Sequence, residues 1–127
     1  MNSAVIIPAL NPGEELLDYI RALTSRGVKK VILVDDGSAP EYQKVFTAAR
    51  SIPECDVLVH EVNRGKGRAL KDAFSHYRKA GYDRLFNGVI TADADGQHTA
   101  EDVEKVSRAM DAASHDGGRV QIGRAHV

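Results

Sequence analysis

The stretch TADADGQH, Thr91 to His98, places Asp93 and Asp95 two residues apart directly after the apolar run LFNGVI, with the amide of Gln97 two further on. If the chain stays extended past Ile90, side chains two apart point the same way, so Asp93 and Asp95 converge while the small Ala94 points away. Two carboxylates that close repel each other, and a hard divalent cation with oxygen ligands would offset them. Mn²⁺ or Mg²⁺ keeps positions for water or phosphate oxygens, so Asp93, Asp95 and the carbonyl oxygen of Gln97 would suffice as protein ligands. Gly96 lets the backbone turn tightly there. The same aspartates could instead only cap a turn.

A second acidic pair, Asp35 and Asp36 in LVDDGS, follows another apolar run. A carboxylate at such a strand end suits a hydrogen bond to a ribose hydroxyl or a base N–H, and Asp36 is the better placed of the two. Its alternative role is to complement a helix dipole. NRGKGRAL puts Arg64 and Lys66 at the start of a helical pattern, an anion site or simply solvated charge. It lacks the upstream glycine of a P-loop, and Gly67 follows the lysine, which excludes that class. His98 could contact a metal or a diphosphate, or make a turn hydrogen bond. His60, His76 and His115 share no spacing with it, so zinc has no support. Cys55, the only cysteine, has no catalytic context and rules out an internal disulfide.

These residues need elements to hold them. AVIIPA is a β-branched run of the kind buried on both faces, followed by NPGEE, where Asn11 would cap a helix, Pro12 open it and Glu14 stand third. Leu16, Leu17, Ile20 and Leu23 give that helix its apolar face and Gly27 stops it. A strand over Lys30–Val34 leads to Ser38 and Glu41 as a capping box, then to the stripe Tyr42, Val45, Phe46 and Ala49. DVLVHEV forms a third strand, and a helix with inner face Ala69, Leu70, Ala73, Phe74 and Tyr77 runs to Gly81. RLFNGVITA forms a fourth strand, and Thr99 and Asp102 begin a helix through Val103, Val106 and Met110. Four strand-helix units predict an α/β domain: a parallel sheet, helices on both faces, every crossover right-handed. Ligands bind such sheets beyond the carboxyl ends of the strands, where PALN, DDGS, NRGKG and DADGQH all fall.

With 43% hydrophobic and 28% charged residues the chain has a soluble globular composition, and no apolar run approaches the roughly 18 residues of a membrane span. A net charge of -1 provides no broad basic field for nucleic acid. MNSAVIIPAL offers no export signal, which together with the lone cysteine points to the cytoplasm.

AVIIPALNPGEEL, KVILVDDGS, NRGKGRAL and ITADADGQH, in this order, resemble the donor-binding half of a family 2 glycosyltransferase of the GT-A fold. DADGQH is especially similar to the polyprenyl-phosphate (dolichyl-phosphate) mannose or glucose synthase-like branch. The resemblance implies a mostly parallel Rossmann-like sheet and inverting transfer from a nucleotide-diphosphate sugar, a UDP- or GDP-sugar. It also implies a Mn²⁺ or Mg²⁺ ion, and an acceptor such as a lipid phosphate or a glycan. Carried over by position, Pro8 and Leu10 would line the base pocket with Asn11 beside them, and Asp36 would contact base or ribose. Lys66 would lie near the nucleotide, Asp93 and Ala94 by the ribose and sugar, and Asp93, Asp95 and Gln97 around the metal. Leu10 stands where many relatives have an aromatic residue, and Pro12 where that branch often has an acidic one.

Relatives continue into strands that build the acceptor site and carry the general base, for which nothing after Met110 offers a candidate. The expected division is 1–121, the N-terminal nucleotide-sugar-binding part of a truncated GT-A domain, and 122–127, a foreign tail. IGRAHV, Ile122 to Val127, is what a widely used sequencing adapter encodes in one frame, and the adapter's preceding AG would complete the Gln121 codon. The full-length protein would then work at the cytoplasmic face of a membrane. Two other readings remain at this point. A sugar-phosphate nucleotidyltransferase would open with a glycine-rich loop, which PALNPGEE is not. A non-catalytic nucleotide-sugar-binding module would keep the binding residues without a base.

Overall fold

The computed structural model describes residues 2–95 and 98–113 and the backbone of 121–124. Strands β1 (Ser3–Ala9), β2 (Val31–Asp36), β3 (Cys55–His60), β4 (Gly88–Thr91) and β5 (Gln121–Arg124) alternate with helices α1 (Glu15–Ser25), α2 (Gln43–Arg50), α3 (Lys66–Lys79) and α4 (Ala100–Ala113). The sheet is wholly parallel in the order β3-β2-β1-β4-β5, so β1 is central. That position explains its composition, since successive residues of β1 must be apolar on both faces. Val5, Ile7 and Ala9 join Leu16, Ile20, Leu23, Phe46 and Val103 in one core, beneath α1, α2 and α4. Ala4 and Ile6 join Ala69, Ala73 and Tyr77 in the other, beneath α3. β3 is an edge strand, and its run DVLVH is correspondingly only half buried, with Val59 50% exposed.

Several local expectations change. β2 extends to Asp36 rather than stopping at Val34, so both aspartates are strand residues and both are buried. β4 is trimmed to Gly88–Thr91. A 3-10 turn at Tyr82–Arg84 precedes it, and Asn87 is tied to Asn2 O by its N–H and to Asp111 by its side chain. Neither Asn11 nor Ser38 caps a helix: α1 begins after Glu14 and α2 after a 3-10 turn at Pro40–Tyr42, both without a side-chain cap. The third box does form. Thr99 Oγ1 accepts the Asp102 N–H at 3.1 Å, while Asp102 Oδ2 accepts the Thr99 N–H at 3.4 Å. Thr99→Ala is therefore expected to cost about 1 kcal/mol in urea unfolding; an unchanged midpoint would show that this reciprocal pair contributes nothing.

The connections do not all share one hand, contrary to expectation. From β1 to β3 the chain steps outward with α1 and α2 on one face, then returns past β1 to β4 with α3 on the opposite face, as one hand requires. From β4 to β5 it keeps travelling in that return direction, yet α4 lies on the face of α1 and α2, so this connection has the other hand. α4 is held on that face by its buried side chains. Val103 and Met110 bury into the α1 face, and Ser107 Oγ donates to Ser3 Oγ at 3.0 Å in the interior.

Candidate functional site

Sheet order fixes where a ligand can enter. β1 is central, and the loop beyond it leads to α1 on one face while the loop beyond β3 leads to α3 on the other, which leaves a crevice at the carboxyl end of the sheet. Two adjoining cavities lie there. One, of about 200 Å³, is lined by Pro8, Ala9, Leu10, Asp36, Asn63, Gly65, Lys66 and Asp93. The other, of about 320 Å³, runs from Pro8, Leu10 and Asn11 past Pro12, Gly13 and Glu15 to Asp93, Ala94 and Asp95. Pro8, Leu10 and Asp93 border both, so the two form one cleft. Leu10 is 48% exposed there, an apolar platform at its mouth. Pro8, Leu10, Asn11, Asp36, Lys66, Asp93, Ala94 and Asp95 thus border this cleft, whereas the candidates Arg64 and His98 do not line it; Gln97 lies outside the described residues.

Two loops are held together under it. Asn11 adopts a left-handed φ of 50°. From there its N–H donates to Ser38 Oγ at 2.9 Å and its Oδ1 accepts the Ala39 N–H at 2.9 Å, which splices PALN to DDGS. Asp35 turns away from the cleft and accepts from Ser38 N–H and Gln43 Nε2. Asp36 turns toward it, but its carboxylate is already engaged. It accepts the Arg64 N–H at 2.9 Å and the Gly65 N–H at 3.0 Å, and lies 3.0 Å from His60 Nδ1. Burial opposes its charge, yet the Arg64, His60 and Gly65 hydrogen bonds outweigh that and hold the carboxyl below its ordinary range. Asp36 is therefore the anchor of NRGKG as well as a wall of the cleft. The amides of Arg64 and Gly65 are engaged by it, and the side chain that this turn sends into the cleft is Lys66.

Lys66 crosses the cleft to Asp93, with Nζ 2.7 Å from Oδ1. That hydrogen bond comes first in holding the Asp93 carboxyl below its usual range; burial opposes it, and the Lys66 and His98 charges add to it. His98 Nδ1 stands 3.8 Å from the other Asp93 oxygen. Asp93 and Asp95 are not on an extended strand: β4 ends at Thr91 and the chain turns through Ala94 and Asp95. Both still border the same cavity because the turn wraps it, and Ala94 borders it too rather than pointing away. Their field reaches the buried Tyr19 hydroxyl, which has no hydrogen-bond partner among the described residues. Burial first, then Asp102, Asp93 and Asp95, push that phenol up to about 12.

Among the described residues no group of three or more His, Cys, Asp or Glu is gathered to hold an ion alone. The Asp93 and Asp95 carboxylates would suit Mn²⁺ or Mg²⁺ if a ligand's phosphate drew Lys66 off Asp93 and its oxygens, with water, completed the shell. The sequence reading missed Asn63, Gly65, Glu15 and His60. Of these, Asn63 and Gly65 were visible as part of NRGKG, while His60 carries no local signal. Cys55 is buried in the core with its thiol pushed up to about 12 by burial, which makes it inert. His76 belongs elsewhere, joining Lys30 and Tyr82 around Asp56.

Comparison with known proteins shows the family. Residues 4–124 match the family described as Glycosyl transferase family 2, and the chain belongs to that family. It is 34% identical over 110 residues to an uncharacterized protein of Methanocaldococcus jannaschii, covering 84% of this chain and 40% of that one. It is 28% identical to the undecaprenyl-phosphate 4-deoxy-4-formamido-L-arabinose transferase of Sodalis glossinidius, covering 81% of this chain and 32% of that one. It is 27% identical to the UDP-N-acetylglucosamine-dolichyl-phosphate N-acetylglucosaminyltransferase of Methanococcus voltae, covering 80% and 44%. The chain thus spans less than half the length of these relatives. A crystal structure of S. aureus TarS 1-349 superposes with a TM-score of 0.64 at 20% identity, over 88% of this chain and 33% of that one, and shares its GT-A α/β fold. Among the described residues no helix is long and apolar enough to cross a membrane.

Proposed function

We propose that this chain supplies the donor and metal side of an inverting glycosyl transfer from a UDP- or GDP-sugar to a lipid phosphate, at the cytoplasmic face of a membrane. The observation that carries the reading is the cleft at the carboxyl end of the sheet, where an exposed Leu10, Lys66 and the Asp93–Asp95 turn converge. The named relatives, which transfer sugars to undecaprenyl phosphate and dolichyl phosphate, support the acceptor class. In this reading the base packs over Leu10 against Pro8, and Asn11 holds the loop that presents them. Asp36 fixes the turn that aims Lys66, and the Lys66 ammonium meets the diphosphate. Asp93, Asp95 and the amide of Gln97 hold Mn²⁺ or Mg²⁺, with Ala94 leaving room for the sugar. Bound there, the ion would offset charge on the leaving diphosphate as a Lewis acid. None of these residues is assigned as the base that activates the acceptor.

The test is calorimetric titration of the purified chain with UDP and with GDP, with Mn²⁺ present or chelated, beside Asp95→Ala. Binding that needs the ion and that the substitution weakens at least tenfold is the expected result, and the preferred nucleotide names the donor class. Binding indifferent to both would remove the metal assignment. No binding by a folded chain would remove the donor site itself.

A further inference from the structure

His60 closes the edge strand β3 with its side chain only 9% exposed, between carboxylates from two other elements. Its Nδ1 lies 3.0 Å from Asp36 Oδ1 on β2, and its Nε2 lies 2.7 Å from Asp72 Oδ2 on α3. A neutral imidazole has a single N–H, so in that form one of these contacts would face a ring lone pair toward a carboxylate oxygen. Only the imidazolium makes both contacts hydrogen bonds. Asp36 in turn holds the Arg64 amide and shares the Gly65 amide with Asn63 Oδ1, and Gly65, at φ 92°, directly precedes the lysine that crosses the cleft.

We propose that His60 is a positioning residue: a charged strut between α3 and β2 that sets the Asp36 carboxylate, and through it the turn Asn63–Lys66 that walls the cleft. Its use in donor binding rests on the function proposed above; its hold on the turn does not. The charges that face the ring are Asp36 from β2 and Asp72 from α3, with Arg68 on the far side of Asp72, its Nε 3.3 Å from Oδ1. These four groups balance when His60 is protonated, and loss of the ring proton leaves a net negative cluster. The Asp36 hydrogen bond raises the imidazole above its ordinary value, burial pulls it down, and Asp72 raises it further. The strut is therefore complete below the ordinary histidine value and is lost as pH climbs through the raised one. The turn should loosen on the alkaline side.

The experiment follows amide protection factors by hydrogen exchange in the 127-residue chain from about pH 6 to 9, in wild type, His60→Gln and Asp72→Asn, with nucleotide titrations alongside. Wild type should lose protection at Arg64 and Gly65 as pH rises while Val5 and Ile6 keep theirs. His60→Gln should expose the Arg64 amide about tenfold more at every pH and the Gly65 amide, which Asn63 Oδ1 also holds, by less. Asp72→Asn should move the wild-type transition to lower pH, an effect that simple loss of packing does not produce. Unchanged protection at Arg64 and Gly65 in His60→Gln, or no pH dependence in wild type, overturns the proposal. Should His60→Gln also expose Val5 and Ile6, Asp72→Asn decides: a downward shift supports the strut and no shift sinks it. These amide outcomes with no nucleotide binding in wild type would remove the donor reading and leave the strut standing.

Discussion

Gly37→Ala is expected to destabilise the chain by about 3 kcal/mol and to weaken nucleotide binding together with it. Gly37 has φ 79°, in the left-handed region where an alanine already costs roughly 1–2 kcal/mol. A Cβ there would also run into backbone: its nearest neighbours are Asn63 N, the Val62 carbonyl carbon and Asn63 Cα. Backbone cannot rotate aside as a side chain can, so the whole Val62–Asn63 turn has to shift. That turn is the one Asp36 holds beside the cleft, which links the stability loss to the binding loss. Urea unfolding gives the first quantity and calorimetry the second. A midpoint within error of wild type would show that the DDGS and NRGKG loops are not packed as described.

Asp36→Ala is expected to cost a similar amount, about 3 kcal/mol, because it strands the Arg64 amide and takes one of two partners from both Gly65 and His60. The Arg64 amide loses its acceptor, the Gly65 amide keeps only Asn63 Oδ1 and His60 keeps only Asp72. Asp36→Asn separates shape from charge. An amide of the same size offers one oxygen where three donors converge, so it should recover less than half of the loss. The pH profile carries its own sign. The Asp36 carboxyl titrates below its ordinary value, so its contribution is present above the normal carboxylate range and disappears as pH falls through the depressed one. Asp36→Ala should therefore flatten the acid limb of the stability curve. Equal acid limbs in the two proteins would mean that the carboxylate is not charged and bonded as described.

The sequence alone determined the elements and the end of the sheet that matters. Its evidence was local: β-branched runs for buried strands, apolar stripes such as Leu16–Ile20–Leu23 for helices, and turn residues massed after the strands. The Thr99–Asp102 cap was legible for the same reason, since both halves lie within one turn of helix. Asn11 and Ser38 looked like caps by the same rule and instead bond each other's loops, because partners 27 and 28 residues away in sequence outcompete a helix end. Which aspartate of a pair faces the cleft depends on strand register, and what satisfies it depends on which loop lands beside it. Asp36 thus found the Arg64 and Gly65 amides, and Lys66 found Asp93, across 28, 29 and 27 residues. His60 had no readable signal, since an isolated histidine on a strand acquires meaning only when β2 and α3 set a carboxylate at each ring nitrogen. The hand of the last connection was likewise beyond local pattern, being decided by where Val103 and Met110 could be buried. Local spacing encodes elements and ligand chemistry; convergence of side chains from distant segments arises only when the sheet orders them, which is why the tertiary structure decided how the site is held.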